Sequence, residues 1–378
     1  MGLPKTMKKP QDSSEDDKSR QVDKYWVPIV GKTLDLLACF ESSSEGLTLE
    51  EVVRRTGIAH TTAFRILHTL VTREYISQTG RSYRLSRTRK KLTFGFANLS
   101  TKVSLAVEIQ ASIERAATAA GINLLVWDND RNPDRAIHNA EEMARSKLDL
   151  AIEFQISEQA APVISDMFLH AGIPLISMVN PHHNTVYFGV NNFRAGVAAG
   201  VALSDHALRA WKGKFDAVVL LESPLAGRTT HSRTVGVLRG IEEKHGPLPK
   251  EIVHHLDGGG DRTKSKAAMQ AFLRTLKGHN RLLIVGINDE SAIGGVSALS
   301  SAAGSVAAAV VGHGGSPEIL KLIADRKSPC IGTVSFHSEL YGPHLIKFAL
   351  PIIQGKSAPV YHYVPHDFIG KNSMRHRE

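Results

Sequence analysis

A regular alternation of short apolar runs with stretches of helical period, from Lys91 almost to the end, constrains this chain more than any other feature. The apolar runs Leu92–Ala97, Asn123–Trp127, Leu148–Phe154, Pro174–Val179 and Tyr187–Val190 read as strands. Helical periodicity separates them at 103–120, 133–145, 157–171 and 192–210. The pattern then restarts, with strands at Ala217–Leu221, Ile252–Leu256, Leu282–Ile287, Val306–Val311 and Ile331–Val334. Helices are expected at 229–245, 262–276, 289–302, 316–324 and 339–354. Strand–helix units of this length build parallel sheets covered on both faces. So many units suit two doubly wound lobes rather than one, because a single core stops growing at about 250–300 residues.

The residues before Lys91 follow another pattern. Residues 1–24 are polar, with the run Asp12 to Lys18, and are expected to be a disordered tail. Val30, Leu34, Leu37 and Ala38 then recur at helical spacing, with Leu36 and Phe40 beside them, giving a first helix over 30–40. Thr48 followed by Glu51 is a capping-box pair that opens a second helix, Leu49–Arg55. Gly57 is placed for a left-handed turn, and a third helix runs from His60 to Thr72. Tyr75–Gln78 and Ser82–Leu85 flank Thr79-Gly80-Arg81 as a two-stranded wing. The expected architecture is thus α/β: a winged helix-turn-helix over 25–90, then a two-lobed unit over 91–370.

Charge separates the same two parts. The chain carries a formal net charge of +9. Residues 1–91 hold 17 Lys and Arg against 11 Asp and Glu, so most of the excess lies in the first quarter. A basic module of this kind suits a polyanionic partner. Near the start of the third helix, His60, Thr61, Thr62 and Arg65 can reach base edges and phosphates. Arg73, Arg81 and Arg84 sit on or beside the wing, and Arg87, Arg89, Lys90 and Lys91 form a basic link. Use of the small fold for protein contact is the alternative. The two cysteines, Cys39 and Cys330, are too far apart in the pattern to suggest a disulfide or a zinc site. No apolar run is long enough for a transmembrane helix and the start lacks an apolar signal segment, so a cytoplasmic protein without membrane contact is expected.

Two resemblances sharpen this reading. Leu47 to Ile58, Thr61-Thr62-Ala63-Phe64-Arg65-Ile66-Leu67, Glu74-Tyr75-Ile76 and Tyr83-Arg84-Leu85 resemble, in order and spacing, the DNA-binding domain of the IclR family. The resemblance implies sequence-specific binding to double-stranded operator DNA as a homodimer or dimer of dimers. Residues 91–365 resemble the type 1 periplasmic binding proteins and the LacI-family effector domains. The matching segments are Ala119 to Leu124, Ala171 to Ile176, Gly189 to Gly196, Arg233 to Val237 and Asn288 to Gly294. That implies a small polar effector, a sugar in most such proteins, held between two lobes. Effector-driven closure would then alter operator affinity, with residues 103–120 and 134–170 as the dimer surface.

Candidate effector ligands follow from position at strand ends, where loops of parallel sheets converge. They are Lys102, Asn180, His231, Arg233, Asp289, His313 and His337, with Phe336 or Trp127 as an apolar surface. Asp289 could accept two vicinal hydroxyls or cap the helix that follows; Arg233 could bind ligand or brace its lobe; His231 could be a plain surface residue. The sequence departs from the sugar-binding pattern at Val179-Asn180, where an Asp-Arg pair is usual, and at Lys102-Val103, where asparagine and aromatics are frequent. Those departures, with three histidines, leave a sugar acid, a phosphate ester, an alditol or another polar metabolite open. A sensor used for protein contact is the further alternative. No nucleophile elbow, Walker sequence or metal motif appears, so neither catalysis nor a cofactor is expected.

Overall fold

A computed structural model describes residues 26–41, 43, 46–86, 91–277, 280–300, 306–371 and 373. The expected tail at 1–24 and the basic positions Arg87, Arg89 and Lys90 lie outside the described residues. Contacts divide the chain into two units, one up to Lys90 and one from Lys91.

The first unit is built from α1 (Pro28–Glu41), β1 (Leu47–Thr48), α2 (Leu49–Thr56), α3 (His60–Thr72), β2 (Ile76–Thr79) and β3 (Ser82–Leu85). The strands form an antiparallel sheet in the order β1-β3-β2. The capping box at α2 is present in full: Glu51 N–H donates to Thr48 Oγ1 (3.3 Å) and Thr48 N–H to Glu51 Oε2 (2.7 Å). Gly57 ends the helix at φ 67°, a conformation that costs a side-chain-bearing residue energy. The core holds Leu36, Phe40, Val52, Ala63, Leu67 and Ile76. Helix α1 therefore buries a different stripe from the expected one. Leu36 and Phe40 face the core, whereas Val30, Leu34 and Ala38 are exposed. Two overlapping apolar stripes satisfy the same helical spacing, and the spacing alone does not choose between them.

The second unit has two lobes. The first contains β4 (Thr93–Asn98), α4 (Ser104–Ala119), β5 (Asn123–Asp128), α5 (Pro133–Arg145), β6 (Leu150–Gln155), α6 (Ala160–Ala171), β7 (Leu175–Val179) and β8 (Val186–Gly189). Helix α7 (Asn192–Trp211) carries the chain into the second lobe. There follow β9 (Ala217–Glu222), α8 (Gly227–His245), β10 (Val253–Asp257), α9 (Arg262–Leu273), β11 (Asn280–Gly286), α10 (Asp289–Ser300), β12 (Val306–Gly314), α11 (Pro317–Ala324) and β13 (Cys330–Ser335). Helix α12 (Ser338–Ile353) returns to pack on α4 of the first lobe. Two short strands complete the unit, β14 (Tyr361–Tyr363) beside β8 and β15 (Asp367–Gly370) beside β13. The sheets run β14-β8-β7-β6-β4-β5 and β10-β9-β11-β12-β13-β15, parallel except for β15. This is the doubly wound pair that the alternation predicts. The strands β14 and β15 were not expected, because three or four residues are too few to show a period.

Helix α7 packs along α8 more extensively than any other pair of elements. Glycine makes this possible. A Cβ on Gly196 would lie 1.9 Å from the Arg233 carbonyl oxygen, and one on Gly200 2.1 Å from that of Val237. From the other side, Gly236 and Gly240 would meet the carbonyls of Phe193 and Val197 at 2.2 and 2.4 Å. The helices thus touch backbone to backbone, which fixes Arg233 against the start of α7. Replacing Gly196 with alanine should push them apart and cost about 1–3 kcal/mol, the usual penalty of overpacking. Denaturant unfolding of the full chain would show it, and an unchanged midpoint would contradict the close approach.

Candidate functional site

In each lobe the strand order reverses at one point, beside β4 in the first and β9 in the second. Ligand crevices form at such reversals, outside the carboxyl ends of the strands. Leu99 after β4 and Ser223 after β9 both line a cleft of about 1050 Å³, its open mouth included.

The cleft has two unlike walls. Lobe 1 contributes mainly apolar side chains: Val103 and Ile109 of α4, Phe154 and Ile156 around the end of β6, Met178 of β7 and Phe188 of β8. Tyr341 of α12 joins them and meets Phe188 edge to face, ring centroids 5.7 Å apart. Lobe 2 contributes Ser223, Thr230, Arg233, Asn288, Asp289 and His313.

Arg233 is the centre of the polar wall. It is 7% exposed. Its Nε donates to Asn192 Oδ1 at 3.1 Å, Nη2 donates to the same oxygen at 2.5 Å, and Nη1 donates to the Ile287 carbonyl. The guanidinium carbon lies 4.9 Å from the centroid of the Phe336 ring. No carboxylate among the described residues comes within 4.0 Å of it. Burial lowers its pKa to about 10, still far above neutrality. Arg233 therefore both braces the lobe and faces the cleft.

Asp289 does not cap the helix that follows, and its carboxylate is bonded within the lobe. Its Oδ2 accepts the N–H groups of Gly315 and Ser316, both at 2.7 Å, and its Oδ1 accepts the Thr333 hydroxyl at 2.7 Å. It anchors the turn between β12 and α11, with its carboxyl pKa raised by burial. The helix is capped instead by Asn288, whose Oδ1 accepts from Ser291 N–H at 2.8 Å. His313 also borders the cleft but is fully buried; its Nδ1 donates to the Gly286 carbonyl at 2.9 Å, and burial lowers its pKa to about 3, so it is neutral.

The other four candidates lie off the cleft lining. Lys102 is exposed and ion-paired with Asp130 at 2.8 Å. His231 is exposed beside Glu222 at 3.5 Å, in a separate recess. His337, at φ 50°, sits between Glu339 (3.3 Å) and Asp367 (3.0 Å). Asn180 is buried within lobe 1. Its N–H bonds back to the Met178 carbonyl at 2.9 Å across Val179, which adopts φ 69°. This tight turn leaves Val179, not Asn180, on the cleft. Of the two aromatic candidates, Phe336 lines the cleft, and Trp127 bonds to Glu142 on α5 (2.9 Å). The sequence reading missed the apolar wall because each of its residues is also an ordinary core residue by period.

It also missed Arg131. Its Nη2 donates to the Gly259 carbonyl across the cleft, and Glu158 Oε1 accepts from Arg228 N–H at 2.8 Å on the same side-to-side path. These bonds hold the lobes together. Behind Arg131, Asn129 Nδ2 donates to Glu153 Oε1 at 2.8 Å and Asn139 Nδ2 to Asn129 Oδ1 at 2.8 Å. Glu153 is fully buried with no cation beside it, and burial pushes its pKa up to about 8. The only sequence sign was the polar turn Asp128-Asn129-Asp130-Arg131-Asn132.

In the first unit, His60, Thr61, Arg65, Arg73, Arg81 and Arg84 are exposed and Thr62 is half-buried. No side chain caps the start of α3, where the Thr62 and Ala63 N–H groups bond to the Ala59 carbonyl, both at 2.9 Å. Phe64 and His68, not singled out in the sequence, are exposed on the same helix and stack at 6.2 Å.

Comparison with known proteins fits these two units. A family model described as a periplasmic binding protein domain matches residues 94–357. The chain belongs to that family. The model of the IclR helix-turn-helix domain matches residues 30–80. Among solved structures, the binding-protein unit is similar to a periplasmic solute binding protein from Actinobacillus succinogenes 130z with bound D-allose, at 20% identity and TM-score 0.64, over 76% of this chain and 100% of that one. It is likewise similar to a Mycobacterium smegmatis protein in complex with β-D-fucofuranose (20%, TM-score 0.65, 75% and 93%). A third is a solute binding protein from Bacillus halodurans C-125 with bound myo-inositol (17%, TM-score 0.64, 77% and 99%). A search of curated proteins finds no match. Among the described residues no helix is long and apolar enough to cross a membrane, and no group of three or more His, Cys, Asp or Glu is placed to hold a metal ion.

The buried Glu153 gives a pH test. Its folded pKa lies above the unfolded value of about 4.5, so stability is full below that and falls as pH rises through about 8. Glu153→Gln keeps the acceptor for Asn129 and removes the titration. Measured by denaturant unfolding, the variant should gain stability relative to the parent between pH 5 and pH 8. His182 and His313, depressed to about 4 and about 3, are common to both proteins and cancel in the difference. A pH-independent difference would contradict a buried, protonated Glu153.

Proposed function

We propose that the protein is a transcription regulator whose affinity for operator DNA is controlled by a small molecule in the cleft of its binding-protein unit. One observation carries the reading: an IclR-type helix-turn-helix precedes a ligand-binding fold in a single chain. Residues 25–90 are the DNA-binding unit and 91–370 the effector unit in this reading, and neither is of a catalytic type. The DNA face comprises His60, Thr61, Thr62 and Arg65 on α3, with Arg73, Arg81 and Arg84 at the wing. Of the effector candidates, Arg233 contacts the ligand directly, while Asp289 and His313 shape the wall around it. The comparison structures hold sugars and polyols, which makes carbohydrates the reference ligands for this fold.

The mechanism is linkage. A ligand that binds the closed lobes better than the open ones shifts that equilibrium. If the lobes form the subunit interface of a dimer, closure changes how two recognition helices meet two half-sites. Exposed Val107 of α4 and Val163 and Leu169 of α6 supply apolar surface for such pairing. The protein would act in the cytoplasm, where its DNA is.

The decisive experiment selects DNA from a random library with the full-length protein and measures binding by fluorescence anisotropy. Arg65→Ala should weaken binding about 10- to 100-fold, the range for losing one base or phosphate contact, without moving the unfolding midpoint. Equal affinity would remove Arg65 from the interface, and failure to enrich any sequence would overturn the regulatory reading.

A further inference from the structure

We propose that the cleft takes an amphipathic monocarboxylate, an aryl or alicyclic acid whose ring lies on the lobe 1 wall and whose carboxylate pairs with Arg233. The proposal rests on the reading of the cleft as a small-molecule site and replaces the polyhydroxylated ligands held by proteins of similar fold.

The two walls carry the argument. A sugar or polyol presents hydroxyl groups on every side, and a closed site must hydrogen-bond them all. Each buried hydroxyl left without a partner weakens binding by about one to two orders of magnitude. Apart from Ser104 and Arg131, the lobe 1 side chains that line the cleft at the strand ends and at α4 are apolar, Val103, Ile109, Phe154, Ile156, Met178 and Phe188 among them. None of these has a hydrogen-bonding group suited to a hydroxyl. Two or three unpartnered hydroxyls would cancel most of the affinity of a micromolar complex. Two polar groups near this wall are turned to internal partners: the Tyr187 hydroxyl donates to the Val190 carbonyl at 3.2 Å, and Asn192 Oδ1 accepts two bonds from Arg233. The carboxylate that could have received a pair of hydroxyls, Asp289, spends its oxygens on Gly315, Ser316 and Thr333.

An apolar ring meets the opposite conditions. The rings of Phe154, Phe188, Phe336 and Tyr341 border the cleft and offer stacking and edge contacts. At the other pole, Arg233 is a buried cation with no carboxylate within 4.0 Å, and three of its five N–H groups are engaged. One N–H on each Nη is left, and a carboxylate is the group that matches a guanidinium fork. The other charged side chains on the cleft have partners: Glu290 pairs with Arg262 at 2.9 Å, and Arg131 reaches Asp261 at 4.0 Å.

The test is calorimetric titration of the full-length protein with cinnamate, phenylacetate, cyclohexanecarboxylate and octanoate, set against cinnamyl alcohol, D-allose, myo-inositol and allitol. At least one ring acid should bind saturably, at least ten-fold more tightly than cinnamyl alcohol, with the negative heat-capacity change of apolar burial. Arg233→Gln should abolish the preference for acid over alcohol. Because that variant also loses bonds to Asn192 and Ile287, Met178→Gln is the second probe: it should weaken the ring acid at least ten-fold while leaving Arg233 in place. Binding of a sugar or polyol in preference to every acid, or no binding by any of the eight compounds, would overturn the ligand class. Neither result touches DNA binding. Conversely, an acid that binds but leaves the anisotropy-measured DNA affinity unchanged would overturn the regulatory reading and leave the ligand class standing.

Discussion

The contact between α7 and α8 is the constraint on which the cleft depends. Four glycines let two helices meet at their backbones, and any side chain at those positions would enter a carbonyl of the facing helix. One of those carbonyls belongs to Arg233. The same close approach brings Asn192, at the first turn of α7, under the Arg233 guanidinium. A buried cation is costly wherever it stands. Here its cost is offset by two bonds to an amide oxygen, one to a main-chain carbonyl and the face of an aromatic ring, all set by the helix crossing.

A buried carboxylate in the second lobe is held in the same way. Asp289 ties α10, the turn before α11 and β13 together through three donors. Lobe 1 contrasts with this. Its polar network of Asn129, Asn139 and Glu153 lies behind the wall and supports the turn bearing Arg131, and the rest of its cleft-facing surface is mainly apolar. One wall holds a buried cation; the other is mainly apolar.

The alternation of strands and helices was legible because a parallel sheet covered on both faces leaves a strong, repeated pattern, and the capping box of α2 and the left-handed Gly57 were legible because each is a local device. The candidate site was less so. Position at a strand end was enough to bring Asp289 and His313 to the cleft border, and Arg233 reaches it from within α8. It failed for Asn180, where a single residue of positive φ at Val179 exchanged the two neighbours, and for Lys102, which found a carboxylate nearby. Asp289 was found, but its hold on a distant turn was not, since nothing in a sequence says which donors will reach a carboxylate. The chemistry of the apolar wall could not be separated from core packing, because both draw on the same residues.

The path of the last strands has a consequence for biosynthesis. Residues 361–363 add an edge strand to lobe 1 and residues 367–370 add one to lobe 2, after every other strand of either sheet has been made. Until the ribosome has delivered this segment, β8 and β13 are open edges, the kind of surface on which chains pair wrongly. Neither lobe can finish early and wait for the other. Both sheets close within the same few residues of synthesis, and a chain cut before Tyr361 would lose an edge strand from each lobe at once.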